Sequence, residues 1–256
     1  MIKIFMNGCA GRMGRVIYSM TKATEDMEIV AGGDIVERAD GIDFPIFTDL
    51  SKCDVDFDVI IDFSNAKAVP ALIDFAVAKN KPLVCCTTAL TEETVAKLKD
   101  ASSKIPVFKS ANMSFGMNVM FELLRQATRA LYPGFDIEVV EAHHNRKLDA
   151  PSGTAMTIAD VINSQIDEDM ELVYDRHDRN EKRKPNEIGM SAIRGGNIVG
   201  EHDVYFICDE EQIKISHSAF TRDVFARGSL TAAKYVADKQ PGMYDMEDIV
   251  SGCFNV

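Results

Sequence analysis

The stretch Ile2-Lys3-Ile4-Phe5-Met6-Asn7-Gly8-Cys9-Ala10-Gly11-Arg12-Met13-Gly14-Arg15-Val16-Ile17 decides how the chain folds. Ile2 to Met6 reads as a strand, and residues 12–23 read as a helix opened by glycines. A strand, a glycine-rich turn and a helix in direct succession make the first half of a βαβ unit. The glycines allow a tight turn and let backbone N–H groups approach a pyrophosphate at the positive end of the helix. Their spacing is G-x-x-G-x-x-G, with Cys9 standing where G-x-G-x-x-G would have its second glycine.

The reading extends outward from that turn. Met27 to Ala31 is a second strand that runs into Gly32-Gly33-Asp34, and Asp34 lies about twenty residues beyond Gly14, where a ribose-binding acid belongs. A carboxylate there accepts from the 2′-hydroxyl of NAD and repels the 2′-phosphate of NADP. The next residue, Ile35, is not basic, so NADH is favoured. Further strands are expected at 57–62, 82–86 and 105–108, with helices at 66–78 and 92–101. Near-continuous apolar strands alternating with helices are the mark of a doubly wound parallel sheet. After residue 113 the character changes. A helix at 119–131, a strand at 135–142 and a helix at 154–166 are followed by strands at 191–194, 198–208 and 212–218. The last three are expected to be antiparallel, turning at Gly195-Gly196 and Asp209-Glu210-Glu211. A final helix is expected at about 224–237. The fold class is therefore α/β: an N-terminal Rossmann-type domain with a parallel sheet, plus a C-terminal α+β domain with a mixed or antiparallel sheet.

Composition narrows the function. The 256 residues carry 28 Lys+Arg against 40 Asp+Glu, a formal charge of −12, and 46% are hydrophobic. Such acidity repels nucleic acid and anionic membrane surfaces, and no apolar run reaches the roughly 20 residues that a span requires. A soluble cytoplasmic protein is expected. The six cysteines form no C-x-x-C pair, which points to free, mostly buried thiols. The one dense basic run, 176–184, is polar on every face and reads as a solvated loop.

Glu141-Ala142-His143-His144-Asn145-Arg146-Lys147-Leu148-Asp149-Ala150-Pro151-Ser152-Gly153-Thr154 carries the chemistry. Histidine suits proton transfer near neutral pH. A nearby lysine supplies positive charge or a proton, and the amides of Ser152, Gly153 and Thr154 at a helix start suit a carboxylate. A metal is not expected, because His143 and His144 at the end of a strand point to opposite sides.

This segment resembles the signature of the dihydrodipicolinate reductase family. The Gly8–Gly14 turn, Asp62-Phe63-Ser64, Cys86-Thr87-Thr88, Ser110-Ala111-Asn112-Met113-Ser114 and residues 194–202 fall in that family's order, so the likeness spans the chain. The resemblance implies an NADH- or NADPH-dependent reductase of a cyclic dicarboxylate in the diaminopimelate branch of lysine biosynthesis, assembled as a homotetramer. It implies a dinucleotide-binding domain from residues 1–113 and 224–256, and a substrate-binding and oligomerisation domain from 114–223. By the family pattern His143 is the general acid/base and Lys147 a proton donor, with His144, Ser152, Gly153 and Thr154 at the substrate. Cofactor contacts fall on Gly8, Cys9, Ala10, Gly11, Arg12, Met13, Asp34, Cys86, Thr87, Thr88, Ser110, Ala111, Asn112 and Met113. Two departures stand out. The family's Gly-Thr-Thr-Gly is Cys86-Thr87-Thr88-Ala89 here, and Ile35 stands where some members have a basic residue.

Two rivals remain at this stage. A semialdehyde-type dehydrogenase would need an activated thiolate at Cys85 or Cys86, and a redox-sensing NAD-binding regulator would need no turnover.

Overall fold

A computed structural model describes residues 1–177 and 179–254. Residue 178 of the basic run and the last two residues of the 224–256 segment lie outside the described residues. The chain begins β1 (Ile2–Asn7), α1 (Arg12–Lys22), β2 (Met27–Gly33), β3 (Ile46–Phe47), β4 (Val59–Asp62), α2 (Val69–Lys79), β5 (Leu83–Cys85), α3 (Glu92–Ala101) and β6 (Pro106–Phe108). It continues with α4 (Phe115–Leu131), β7 (Asp136–His143), α5 (Gly153–Asn163), β8 (Glu171–Tyr174), β9 (Glu187–Arg194), β10 (Gly200–Ile207) and β11 (Gln212–Ala219). It ends with α6 (Asp223–Val236), β12 (Gly242–Tyr244) and α7 (Met246–Phe254). Two compact units result, Met1–Ser114 with Asp223–Val256, and Phe115–Arg222.

The first unit holds a seven-stranded sheet of order β12-β6-β5-β4-β1-β2-β3, parallel at every pairing. Alternation along β1 explains why both faces are covered. Ile4 and Met6 pack in a core with Ile17, Ala232 and Ala233, whereas Phe5 joins Leu72, Ile73 and Phe75 on the other side. The strand order reverses at β1, which has β2 on one side and β4 on the other. Ligands of open parallel sheets bind in the crevice beyond the carboxyl ends of the strands at such a point.

The second unit holds a five-stranded sheet of order β11-β10-β7-β9-β8. Here the expected run of antiparallel strands is corrected. β10 pairs antiparallel with β11 and β7, but β9 runs parallel to both β7 and β8. Gly195-Gly196 is therefore not a hairpin turn. β7 lies between β9 and β10, and the connection crosses its end, where Gly195 N–H donates to the His143 carbonyl at 2.9 Å. One sheet face packs on α4 and α5 through Leu124, Ile158, Ile162, Val139, Val204 and Phe206.

The basic run carries anchors that its composition does not reveal. Arg176 pairs with the fully buried Glu187, and Arg179 reaches Glu171 at 2.7 Å. Arg183 donates to Asp136 at 2.9 Å, to Glu138 at 3.2 Å and to the carbonyls of Ile137 and Glu187. The run is a largely exposed loop, as expected, but it is not free of the sheet: Arg176 and Arg179 tie it to the flanking strands β8 and β9, and Arg183 to β7.

Candidate active site

In the first unit, every residue expected to touch a dinucleotide sits in a segment that follows a parallel strand. Gly8–Met13 follow β1, Asp34 follows β2, Cys86–Thr88 follow β5 and Ser110–Met113 follow β6. Gly8 has a φ of 78°, and a Cβ there would stand 2.5 Å from the Phe63 carbonyl oxygen. A Cβ at Gly14 would meet the Gly8 carbonyl oxygen at 2.4 Å, so the loop closes this tightly only with glycine at both positions. Asp34 braces the loop, one carboxylate oxygen accepting from Ala10 N–H at 2.8 Å and the other from Ile35 N–H at 2.7 Å. Gly11 N–H turns back to the Gly8 carbonyl, which leaves Arg12 and Met13 to supply the first-turn amides of α1.

Gly8, Gly11, Asp34, Ile35, Phe63 and Ser64 help to line a cavity of about 410 Å³. Cys86–Thr88 and Ser110–Met113 do not line it. The cradle nevertheless fits a dinucleotide. It combines a close-approach glycine turn, a helix N-terminus and a carboxylate at the second strand's end, and the buried Thr87 hydroxyl has no partner. Cys9 is buried, and burial and then Asp34 push its thiol up to about 12. Burial also pushes the Cys85 thiol up to about 12 and the Cys86 thiol well above its ordinary value, with Asp62 adding to both. Thiols held protonated in this way are poor nucleophiles, and the cysteine-based rival loses its support.

In the second unit, proton-transfer groups converge at the carboxyl end of β7. Glu141 and His143 are two apart on the strand and so share a face. Across the sheet, Glu141 is in register with His202 on β10, and His202 with His217 on β11. Arg194 on β9 is opposite His143. His143 Nδ1 lies 2.6 Å from Glu141 Oε2. Glu141, only 1% exposed, also accepts from both terminal nitrogens of Arg194, at 2.8 and 2.6 Å, and from Ser152 N–H at 3.0 Å. Burial alone would raise the Glu141 carboxyl. Hydrogen bonds from Arg194, His143 and the Ser152 amide outweigh it and hold the group below the ordinary value. On the far side of the ring, a Cβ at Gly200 would come within 3.1 Å of His143 Nε2, so a larger residue there would crowd that nitrogen.

The remaining groups surround this pair. The His143 and His202 rings meet edge to face, with centroids 5.2 Å apart. Burial, and then the charge of His143, push His202 down to about 4. His144 is also lowered, by desolvation first and then by Arg146, and its Nδ1 is buried without a partner. Lys147 Nζ is held by Asp149 at 3.0 Å, which lowers the Asp149 carboxyl. Ser152 is engaged within the fold, its amide on Glu141 and its hydroxyl capping α5 through Ala155 N–H at 3.2 Å. Glu141, Arg194 and His202 were not singled out as site residues by sequence reasoning. The signals that could have found them were the glutamate two before His143 and the position of Arg194 and His202 at either end of the quoted 194–202 motif. Among the described residues no group of three or more His, Cys, Asp or Glu is placed to hold a metal ion.

Comparison with known proteins follows the same division. The family model described as dihydrodipicolinate reductase, N-terminus, matches residues 2–113, and that described as dihydrodipicolinate reductase, C-terminus, matches residues 116–250. The chain is 49% identical over 250 residues to the 4-hydroxy-tetrahydrodipicolinate reductase of Caldanaerobacter subterraneus subsp. tengcongensis, covering 98% of each chain. It is 45% identical over 247 residues to the Clostridium tetani protein of the same name, covering 96% of each. Among solved structures, a dipicolinate-bound dihydrodipicolinate reductase from Paenisporosarcina sp. TG-14 shares the fold with a TM-score of 0.79 at 21% identity, over 97% of this chain and 99% of that one. A myo-inositol dehydrogenase from Corynebacterium glutamicum has a TM-score of 0.60 at 15% identity, over 98% and 92%.

Proposed function

The chain belongs to the dihydrodipicolinate reductase family, and from that premise we propose how its residues divide the work of 4-hydroxy-tetrahydrodipicolinate reduction in the diaminopimelate route to lysine. The reaction is an NAD(P)H-dependent reduction in which the 4-hydroxylated ring loses water and gains one hydride and one proton, giving tetrahydrodipicolinate. A bound reduced nicotinamide supplies the hydride. The carrying observation for the protein's part is the buried His143, with Nδ1 on Glu141 and Gly200 opposite its Nε2.

His143 presents a proton at Nε2 to the ring carbon that becomes electron-rich once hydride has arrived at its conjugated neighbour. Proton delivery of this kind is worth about 10²–10⁴ in rate. Lys147 places its charge against a ring carboxylate and is the second candidate donor. Gly153 and Thr154 open α5 and hold that carboxylate at the positive helix end, and His144 Nδ1 offers a further contact. Ser152 acts one step back, since its amide and hydroxyl fix the turn that aims these groups. Asp34 and the exposed Ile35 favour NADH over NADPH. By family likeness the enzyme works as a cytoplasmic homotetramer. No helix among the described residues is long and apolar enough to cross a membrane.

The test is steady-state reduction of enzymatically generated substrate with NADH and NADPH in parallel, for wild type, His143→Gln and Lys147→Gln. The expected outcome is higher kcat/KM with NADH and a loss of about 100-fold or more in kcat in each folded variant. Near-normal turnover in both variants would show the roles to be misassigned.

A further inference from the structure

We infer that Glu141, clamped by Arg194, is a positioning residue that fixes the orientation and tautomer of the His143 ring while pinning the loop that receives the substrate carboxylate. The inference rests on His143 being the acid/base of the proposed reaction, and it goes beyond that assignment.

The geometry gives Glu141 four hydrogen bonds, and each has a separate consequence. The bond from His143 Nδ1 fixes which ring nitrogen faces the carboxylate and so leaves Nε2 for chemistry. The two bonds from Arg194 form a fork that keeps the buried carboxylate ionised and stationary. The fourth, from Ser152 N–H, ties the start of α5 to the same carboxylate. Arg194 completes the frame by donating to the Asp149 carbonyl at 2.7 Å. One buried anion thus indexes the proton donor and the Asp149–Ser152 segment to each other, and a shift in either is felt by both.

The surroundings show why the anion is needed. Around His143, β7 contributes Glu141, β9 contributes Arg194, and β10 contributes His202, with His217 next on β11. The following loop contributes Lys147 and Asp149. Arg194 and Lys147 are cations, and His202 is a neutral, desolvated ring. The carboxylate in direct contact with the His143 ring is Glu141, and without it the Nδ1 edge would face Arg194 across the β7–β9 pairing.

Three variants of the whole enzyme test this: Glu141→Gln, Glu141→Asp and the double variant E141Q/R194Q. The double variant leaves no unpaired buried charge and keeps the test usable if the single one does not fold. The readouts are the ring-nitrogen NMR shifts of His143, which report its tautomer and are assigned by their disappearance in His143→Gln, together with kcat and KM. In E141Q and in the double variant, the single tautomer with its proton at Nδ1 is expected to give way to a mixture, with kcat at least ten-fold lower. KM is expected to rise as well, most in the double variant, which also loses the Arg194 bond to the Asp149 carbonyl. E141D keeps the carboxylate at a longer reach and is expected to lie between. An unchanged ring signature in E141Q and in the double variant overturns the inference, as does an unchanged KM in the double variant. His143→Gln separates the two levels. If it abolishes turnover while E141Q leaves the ring signature unchanged, the positioning role fails alone. Normal turnover in His143→Gln overturns the acid/base reading beneath it.

Discussion

Lowering the pH from 7 to 5 should cost this protein about 2 kcal/mol of stability through one side chain, His202. Burial first, and then the charge of His143, push this imidazole from 6.5 to about 4. The folded protein therefore keeps His202 neutral in a range where the unfolded chain takes up a proton. Between these two values the unfolded state binds more protons, so stability rises with pH across that window and is lost as pH falls through it. The full difference corresponds to about 3 kcal/mol at 1.36 kcal/mol per tenfold, of which about 2 is reached by pH 5. Glu141 acts lower. Its depressed carboxyl contributes above the ordinary value of 4.5, and that contribution is lost only as pH falls below it, so the two effects separate. The assay is urea unfolding followed by circular dichroism at pH 7.5, 6 and 5, for wild type and His202→Gln. The variant cannot titrate at this position and should show a distinctly shallower loss. Some slope should remain, because His144 and His217 are lowered in the same direction. Parallel pH–stability curves for the two proteins would refute the reasoning, as would an NMR signal showing His202 protonated in the folded enzyme at pH 6.

Ala89 has a φ of 54°, in the left-handed region where a Cβ costs about 1–2 kcal/mol, at the position where the family pattern has glycine. Ala89→Gly should therefore raise stability by about 1 kcal/mol, read as a higher urea midpoint at constant slope. Arg183 is 16% exposed and clamps the end of β7 opposite to His143 through Asp136, Glu138 and the Ile137 carbonyl, tying it to β9 through the Glu187 carbonyl. Arg183→Met should cost about 2 kcal/mol in the same assay while kcat and KM stay at wild-type values.

How much could be read in advance follows from where the information lies along the chain. The strands of the first unit were legible because both faces are buried, as Phe5 on one core and Ile4 and Met6 on the other show. β3 and β12 were not, since strands of two and three residues at the sheet edges are too short to carry periodicity, although Ile46, Phe47 and Tyr244 pack on the cores. β8 and α7 were missed as well, β8 because its partly exposed Glu171-Leu172-Val173-Tyr174 has no alternation to read. In the candidate site, His143, Lys147 and the start of α5 stand in one contiguous segment, so the sequence alone offers them together. Arg194 and His202 meet that segment from 53 and 50 residues away, through Glu141 and Ser152 respectively. Only strand register places them, and the register rested on a β9–β10 pairing that the structure does not have.

The register also recasts the electrostatics of an acidic protein that takes anionic ligands. The chain carries a formal charge of −12, and most of the cations at the site are already matched. Arg194 is matched by the buried Glu141, and Lys147 by Asp149. Arg146 is held by the neutral amide of Asn197, so its charge is not spent on a carboxylate. The two matched pairs differ in kind. Glu141 is sealed from water and cannot be exchanged without stranding Arg194, whereas Asp149 is more than half exposed and gives up Lys147 at little cost. On the proposed roles, a ring carboxylate replaces Asp149 at Lys147 and the start of α5 while leaving the Glu141–Arg194 frame intact. Affinity for the dianion would then turn on an exchange of carboxylates at one lysine, without the long-range attraction that the net charge opposes.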